Sequence, residues 1–141
     1  QQDHVEIVNA ICQEFSNLPA DCALILMGHG TSHYANDVYA ALDYRFKDLG
    51  FSNIHLATVE GYPTLENVTR MVKEQEAKKV ILAPFMIVAG DHARNDMSGD
   101  NEDSWKNQFR AAGYDVECRM KGLGEYPAIQ DMLIRHVTEV C

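Results

Sequence analysis

The sequence predicts an α/β fold, a four-stranded parallel sheet with helices on both faces. Two observations predict it. Apolar runs of strand length alternate with amphipathic segments of about a dozen residues, which is the pattern of βαβ units. The apolar runs also lack the in–out alternation of a sheet with one wet face, so both faces must be covered. At 141 residues the chain has one domain's worth of length and can bury a core without disulfide or metal staples.

In chain order, Val5, Val8, Cys12 and Phe15 recur at helical spacing and predict a helix over Asp3 to Phe15, broken by Pro19. Cys22 to Met27 is a continuous apolar run closed by Gly28 and reads as a buried strand. Val38, Leu42, Phe46 and Leu49 share one face of a helix over Asn36 to Leu49, which Gly50 stops. Ile54 to Val59 is the second strand. Pro63 and Thr64 open a helix that turns Leu65, Val68 and Val72 inward and places Lys78 and Lys79 at its negative end. Val80 to Val88 is the third strand, and Asp100 to Ala112 is helical up to Gly113, with Glu102 and Asp103 at its N-terminus. Asp115 to Met120 is a shorter, more polar strand near an edge. Tyr126 to Val140 is a last amphipathic helix, with Ile129, Met132, Leu133, His136, Val137 and Val140 on one face.

Composition removes several function classes. Hydrophobic residues at 46% and charged residues at 23% exclude global disorder. With 12 Lys and Arg against 21 Asp and Glu the net charge is −9. That charge opposes general binding to nucleic acid or to an anionic membrane. No apolar run approaches the length of a membrane helix, and no signal peptide is visible at the start. Cys12, Cys22, Cys118 and Cys141 form no Cys-x-x-Cys pair. They read as free thiols in a reducing compartment, so a cytoplasmic location is expected.

Ligands of open α/β sheets bind beyond the carboxyl ends of the strands. After strand one comes Gly28-His29-Gly30-Thr31-Ser32-His33, after strand two Glu60, and after strand three Gly90-Asp91-His92. Glu60 lies 31 residues after His29, and His92 lies 32 after Glu60. One β-α repeat is about 30 residues, so the three occupy the same phase of successive units and should meet at one rim. Two imidazoles and a carboxylate make a divalent transition-metal set. Taken singly, a His after a strand is most often a loop residue bonded to backbone, and a Glu before Gly-Tyr-Pro a cap or a solvated charge. The shared phase is what favours the metal reading.

His55, inside strand two, reads as packed or hydrogen-bonded, and His136 as a core or interface residue. His33 could line the rim, and His4 reads as exposed. Gly28-x-Gly30 lacks the third glycine of a dinucleotide loop, and the phosphate-loop and nucleophile-elbow motifs are absent. Asp96, Asp100, Glu102 and Asp103 fail the spacing of an EF-hand. Glu60-Gly61-Tyr62-Pro63 is echoed weakly by Gly124-Glu125-Tyr126-Pro127.

Leu26-Met27-Gly28-His29-Gly30-Thr31, Thr58-Val59-Glu60-Gly61-Tyr62-Pro63 and the run Pro84 to Met97, which contains Gly90-Asp91-His92-Ala93-Arg94, resemble the anaerobic-pathway sirohydrochlorin cobaltochelatases. These are class II chelatases of cobalamin biosynthesis. The resemblance continues through Asp103-Ser104-Trp105-Lys106 and Lys121 to Pro127. It implies a two-lobed chelatase fold, with two α/β halves facing across a cleft that holds the tetrapyrrole. Residues 1–141 would be a single domain resembling the C-terminal half, with the N-terminal half absent. The family's metal ligands fall on His29, Glu60 and His92, the residues that the phase argument reaches independently. The implied reaction is insertion of Co²⁺ into sirohydrochlorin or its reduced precursor. His29 is assigned as proton acceptor and ligand, Glu60 as carboxylate ligand with a catalytic role, and His92 as second ligand. Arg94, Gly28 and Gly30 are assigned to the tetrapyrrole, with Arg94, Arg119 and Lys121 as the cations that offset its carboxylates. Co²⁺ is a bound substrate metal, and no organic cofactor is expected. The implied partners are the tetrapyrrole and either the N-terminal half or a homo-oligomer. The alternatives are an iron-inserting sirohaem chelatase and a non-enzymatic metal or tetrapyrrole binder, because Co²⁺, Fe²⁺, Ni²⁺ and Zn²⁺ all accept a His₂Glu set.

Overall fold

The computed structural model describes residues 2–28, 36–59, 61–85 and 91–120, without the side chains of 2–4, 36–38 and 91–94. The order is α1 (Gln2–Glu14), β1 (Cys22–Gly28), α2 (Asn36–Asp48), β2 (Ile54–Thr58), α3 (Leu65–Gln75), β3 (Lys79–Pro84), α4 (Asp91–Ser98), α5 (Trp105–Ala111) and β4 (Asp115–Cys118). The four strands form one parallel sheet in the order β2-β1-β3-β4. The helix expected over Tyr126 to Val140 lies outside the described residues.

Every residue of β1 is buried, which explains its unbroken apolar sequence. Leu24 and Leu26 face one side, with Ile54, Leu56, Ile81 and Ala83 of the neighbouring strands, against Val8, Ile11 and Phe15 of the α1 segment and Leu42 and Phe46 of α2. Ala23, Ile25 and Met27 face the other side, with Ala57, Val80, Leu82 and Val116, against Val68 and Val72 of α3, Met97 of α4, and Trp105 and Phe109 of α5. Both sheet faces are therefore covered by helices, as expected. Each fully buried Leu, Ile or Phe contributes about 1.5–3 kcal/mol.

Several boundaries differ from the sequence reading. Thr64 does open α3, through a reciprocal capping box with Asn67. The helix ends earlier than expected, because Glu76 takes the left-handed conformation and its N–H turns back to the Lys73 and Val72 carbonyls. Lys78 and Lys79 therefore do not sit on the last turn. Their N–H groups donate to the Asp21 carbonyl, and Lys79 begins β3. The strand expected over Val80 to Val88 runs as β3 to Pro84, and residues 86–90 lie outside the described residues.

The helix α4 was not expected. Its sequence, DHARNDMS, has no apolar repeat, and Met97 is its anchor in the core. The helix expected from Asp100 begins instead at Trp105, with Ser104 as N-cap accepting from the Asn107 N–H. Glu102 and Asp103 are exposed in the turn before that cap rather than in a first helical turn. Lys106 ties the two helices, donating to the Ser98 carbonyl at 2.9 Å. Gly113, at φ +100°, follows α5 in a conformation that suits glycine. As expected, β4 is a short strand at the edge.

The opposite edge, β2, is sealed. Its inward N–H groups bond β1, and its outward ones each find an acceptor within the chain. Ile54 N–H donates to the Phe51 carbonyl at 3.2 Å, Leu56 N–H to Asp43 Oδ1 at 2.9 Å, and Thr58 N–H to the Pro63 carbonyl at 2.7 Å. Asp43 also accepts from Lys47 Nζ at 2.8 Å, and Lys47 reaches the Ile54 carbonyl at 3.3 Å. The helix α2 thus closes an edge that would otherwise offer itself to another strand. Asp43→Ala leaves the Leu56 N–H without its acceptor. It should lower the free energy of unfolding in urea by about 1–3 kcal/mol and increase aggregation on refolding.

Candidate functional site

The sheet order makes β1 the neighbour of both β2 and β3. The chain leaving β1 goes to β2 on one side and the chain leaving β3 goes to β4 on the other, so the carboxyl ends of β1 and β3 flank a topological switch point, where open α/β sheets bind ligands. Gly28 is in register with Thr58, and Met27 with Pro84. The ladder continues to the rim on both sides. Val59 N–H donates to the Gly28 carbonyl at 3.0 Å, and Phe85 N–H to the Met27 carbonyl at 2.7 Å. The chain thus leaves for positions 29 and 60 from a hydrogen-bonded pair of neighbours, about 4.8 Å apart as strands. On the third strand, α4 begins at Asp91, seven residues after Pro84, and His92 is its second residue.

His29, Gly30 and Glu60, and the side chains of His92 and Arg94, lie outside the described residues. So do His33, Lys121 and His136. Among the described residues, no three His, Cys, Asp or Glu side chains gather closely enough to hold a metal ion. The described structure supplies the frame on which the three candidate ligand positions stand.

That frame is tightly bonded around position 60. Thr58, 3% exposed, donates from Oγ1 to the Pro63 carbonyl at 3.1 Å and accepts from the Gly61 N–H at 2.9 Å. The Pro63 carbonyl also takes the Thr58 N–H, and Thr64 then caps α3. The sequence reading passed over Thr58. The available signal was a hydroxyl at the end of a buried strand, two residues before Glu60. Beside this turn a cleft of about 680 Å³ runs between α3 and α5, with Thr58, Gly61 and Trp105 in its lining and Arg70 and Lys73 on its α3 wall.

Gly28 is buried, and the structure gives it a packing reason. A Cβ there would lie 2.6 Å from Cε1 of Tyr39 on α2, inside any normal contact. Arg119, grouped with the rim cations on sequence, is engaged elsewhere. Its guanidinium pairs with Glu117 and lies over the Phe15 ring at 5.5 Å. With Pro19, Cys22 and Lys79 it lines a pocket at the amino ends of β1 and β3, opposite the rim. Arg119 and Lys79 together hold the Glu117 carboxyl below its usual range. Cys12, Cys22 and Cys118 are free thiols, and burial raises the pKa of each, that of Cys12 to about 11. They are poor thiolate ligands.

His55, as expected, belongs to the core. It is 2% exposed, and its Nε2 meets Gln75 Oε1 at 3.0 Å, while Gln75 Nε2 donates to the Cys22 carbonyl at 3.4 Å. That orientation puts the proton on Nε2, and Nδ1 has no partner among the described residues. Burial pushes the His55 pKa down. The Gln75 bond opposes this, nearby Lys47 adds to the lowering, and Asp43 counters it.

A family model described as cobalt chelatase (CbiK) matches residues 1–141. The chain belongs to this family. It is 38% identical over 135 residues to the sirohydrochlorin cobaltochelatase of Salmonella typhimurium, covering 96% of this chain and 51% of that protein. It is 33% identical over 127 residues to the sirohydrochlorin cobaltochelatase CbiKC of Nitratidesulfovibrio vulgaris, covering 87% and 45%. The chain therefore spans about half the length of these curated relatives. Two solved structures share the fold. A CbiX protein assigned to cobalamin biosynthesis, from Marinobacter aquaeolei, superposes with a TM-score of 0.60 at 20% identity, over 84% of this chain and 97% of that one. DR2241 of Deinococcus radiodurans, a multi-domain protein with structural similarity to chelatases, gives 0.62 at 18% identity, over 92% and 28%.

Two outcomes follow from these side chains. Gly28→Ala should destabilise by about 1–3 kcal/mol through overpacking, and Tyr39→Leu in the same chain should recover most of that, as read by thermal unfolding. The His55 pKa is lower folded than unfolded, so the unfolded chain takes up the proton first. Stability should be level above about pH 6.5 and fall as the pH drops below it. Urea unfolding at a series of pH values should show a smaller fall for His55→Gln.

Proposed function

We propose that this chain is the C-terminal half of a two-lobed sirohydrochlorin cobaltochelatase, and that His29, Glu60 and His92 receive Co²⁺ at the rim above β1. The observation that carries the reading is the strand order. It makes the strands before positions 29 and 60 direct neighbours, and the strand before His92 the other neighbour of β1. The family match over residues 1–141 supports the chemistry, and the names of the two curated relatives support the tetrapyrrole and the metal.

Insertion exchanges two pyrrole protons for one Co²⁺. His29, in its neutral form, takes the two pyrrole protons one after the other and releases each to solvent. His92 and Glu60 complete a nitrogen and oxygen set that holds Co²⁺ loosely enough to hand it on, which a thiolate cage would do less readily. The substrate carries many carboxylates and the chain a charge of −9, so cations at the rim are needed. Arg94, two residues after His92, takes that role. The other wall of the tetrapyrrole cleft comes from the second half of the protein or from a second copy of this chain.

The test is Co²⁺ insertion into sirohydrochlorin by a protein carrying both halves. His29→Ala should depress the rate by about 10²–10⁴-fold, the usual worth of a proton acceptor. Glu60→Gln and His92→Ala should depress it less, with tetrapyrrole binding largely kept in all three. A folded two-lobed protein that binds sirohydrochlorin but inserts no metal above the uncatalysed rate, with Co²⁺ or with Fe²⁺, would overturn the enzyme in favour of a binding protein. Insertion of Fe²⁺ alone would overturn the choice of metal.

A further inference from the structure

The turn from β2 into α3 has five residues between Thr58 and Thr64 at its two ends, and the Thr58 side chain holds it shut. Its hydroxyl makes two bonds in opposite senses, donating to the Pro63 carbonyl and accepting from the Gly61 N–H. Its backbone N–H adds a second bond to the same carbonyl, and Val59 is tied by its own N–H to the end of β1. Both chain neighbours of position 60, Val59 and Gly61, are therefore fixed by hydrogen bonds, one to the central strand and one to Thr58.

A hydroxyl is an unusual choice here. Thr58 is 3% exposed, and a valine of the same shape would fill that space without a polar group to desolvate. The hydroxyl is not needed to satisfy the Pro63 carbonyl, which already accepts the Thr58 N–H. What it alone does among the described residues is hold the Gly61 N–H. A group that locks the far side of a ligand-bearing turn is placed to set the ligand's position, and such supporting contacts govern metal sites strongly.

We infer that Thr58 is a positioning residue for Glu60: its hydroxyl, clamped between Gly61 N–H and Pro63 C=O, holds the backbone turn from which the carboxylate reaches Co²⁺. This rests on the reading of Glu60 as a metal ligand. Thr58 does not touch the metal. It acts by holding Gly61, one chain neighbour of position 60, through its own hydroxyl, while β1 holds the other neighbour, Val59.

The experiment is a titration of the 141-residue chain with Co²⁺ alone, read by calorimetry, with urea unfolding of each variant to confirm that it is folded. Thr58→Val should weaken Co²⁺ binding by about 10–100-fold, the usual effect of losing a supporting hydrogen bond. Thr58→Ser, which keeps the hydroxyl, should restore most of the loss. In a Glu60→Gln background, Thr58→Val should add little, because its effect passes through the carboxylate. If Thr58→Val does not fold, Thr58→Ala enters the same comparisons. Three results would overturn the inference while leaving the metal site standing: wild-type affinity in Thr58→Val, no recovery in Thr58→Ser, or a full additional loss in the Glu60→Gln background. Wild-type affinity in Glu60→Gln is a separate outcome. It would remove Glu60 from the metal site and overturn this inference along with it.

Discussion

The hydrogen-bonding of β1 on both edges, with burial on both faces, is the constraint that organises the molecule. A strand with no route to water must satisfy every N–H and C=O within the sheet. Here β2 and β3 do this from either side. Such a strand must also be apolar at every position, because neither face is wet, and Cys22 to Gly28 is buried throughout. Once β1 is central, the helices have to fall on both sides. One core gathers α1 and α2, the other α3, α4 and α5. Gly28 then becomes the fixed point of the rim, packed against Tyr39 and bonded to Val59.

The same constraint has consequences at the two flanks. A parallel sheet of four strands has two edges, and β2 is one of them. Its outward N–H groups are taken by the Phe51 carbonyl, the Asp43 carboxylate and the Pro63 carbonyl. The last of these also closes the turn that contains position 60. Sealing an edge and closing that turn are here done by one carbonyl. On the other flank, Glu117 of β4 collects Lys79 and Arg119. That cluster holds Arg119 in the pocket beside Cys22 and Lys79, at the amino ends of β1 and β3.

Much of this was legible in the residues. The βαβ alternation depends on local period and on repeat length, and both are properties of the one-dimensional chain. The start of α3 was legible too, because Pro63 and Thr64 act through their own backbone and side-chain chemistry. The helix α4 was not. It carries no apolar stripe, and its place is decided by Met97 meeting a core built from distant strands. The limits of β3 and α5 also escaped, because an apolar run does not say where its hydrogen-bonding partner stops.

What the sequence determined by itself was the class of fold, the register of elements along the chain and a trio of residues in one phase. Phase alone leaves the strand order open: three equivalent positions could stand on strands far apart in the sheet. Only the tertiary structure decided that β1 lies between β2 and β3, because strand order is set by which apolar faces pack together rather than by any local preference. The tertiary structure likewise turned Arg119 away from the rim toward Phe15 and Glu117, and gave Thr58 its two hydroxyl bonds. A guanidinium or a hydroxyl takes the partner that the fold brings within reach, and a sequence does not record distances.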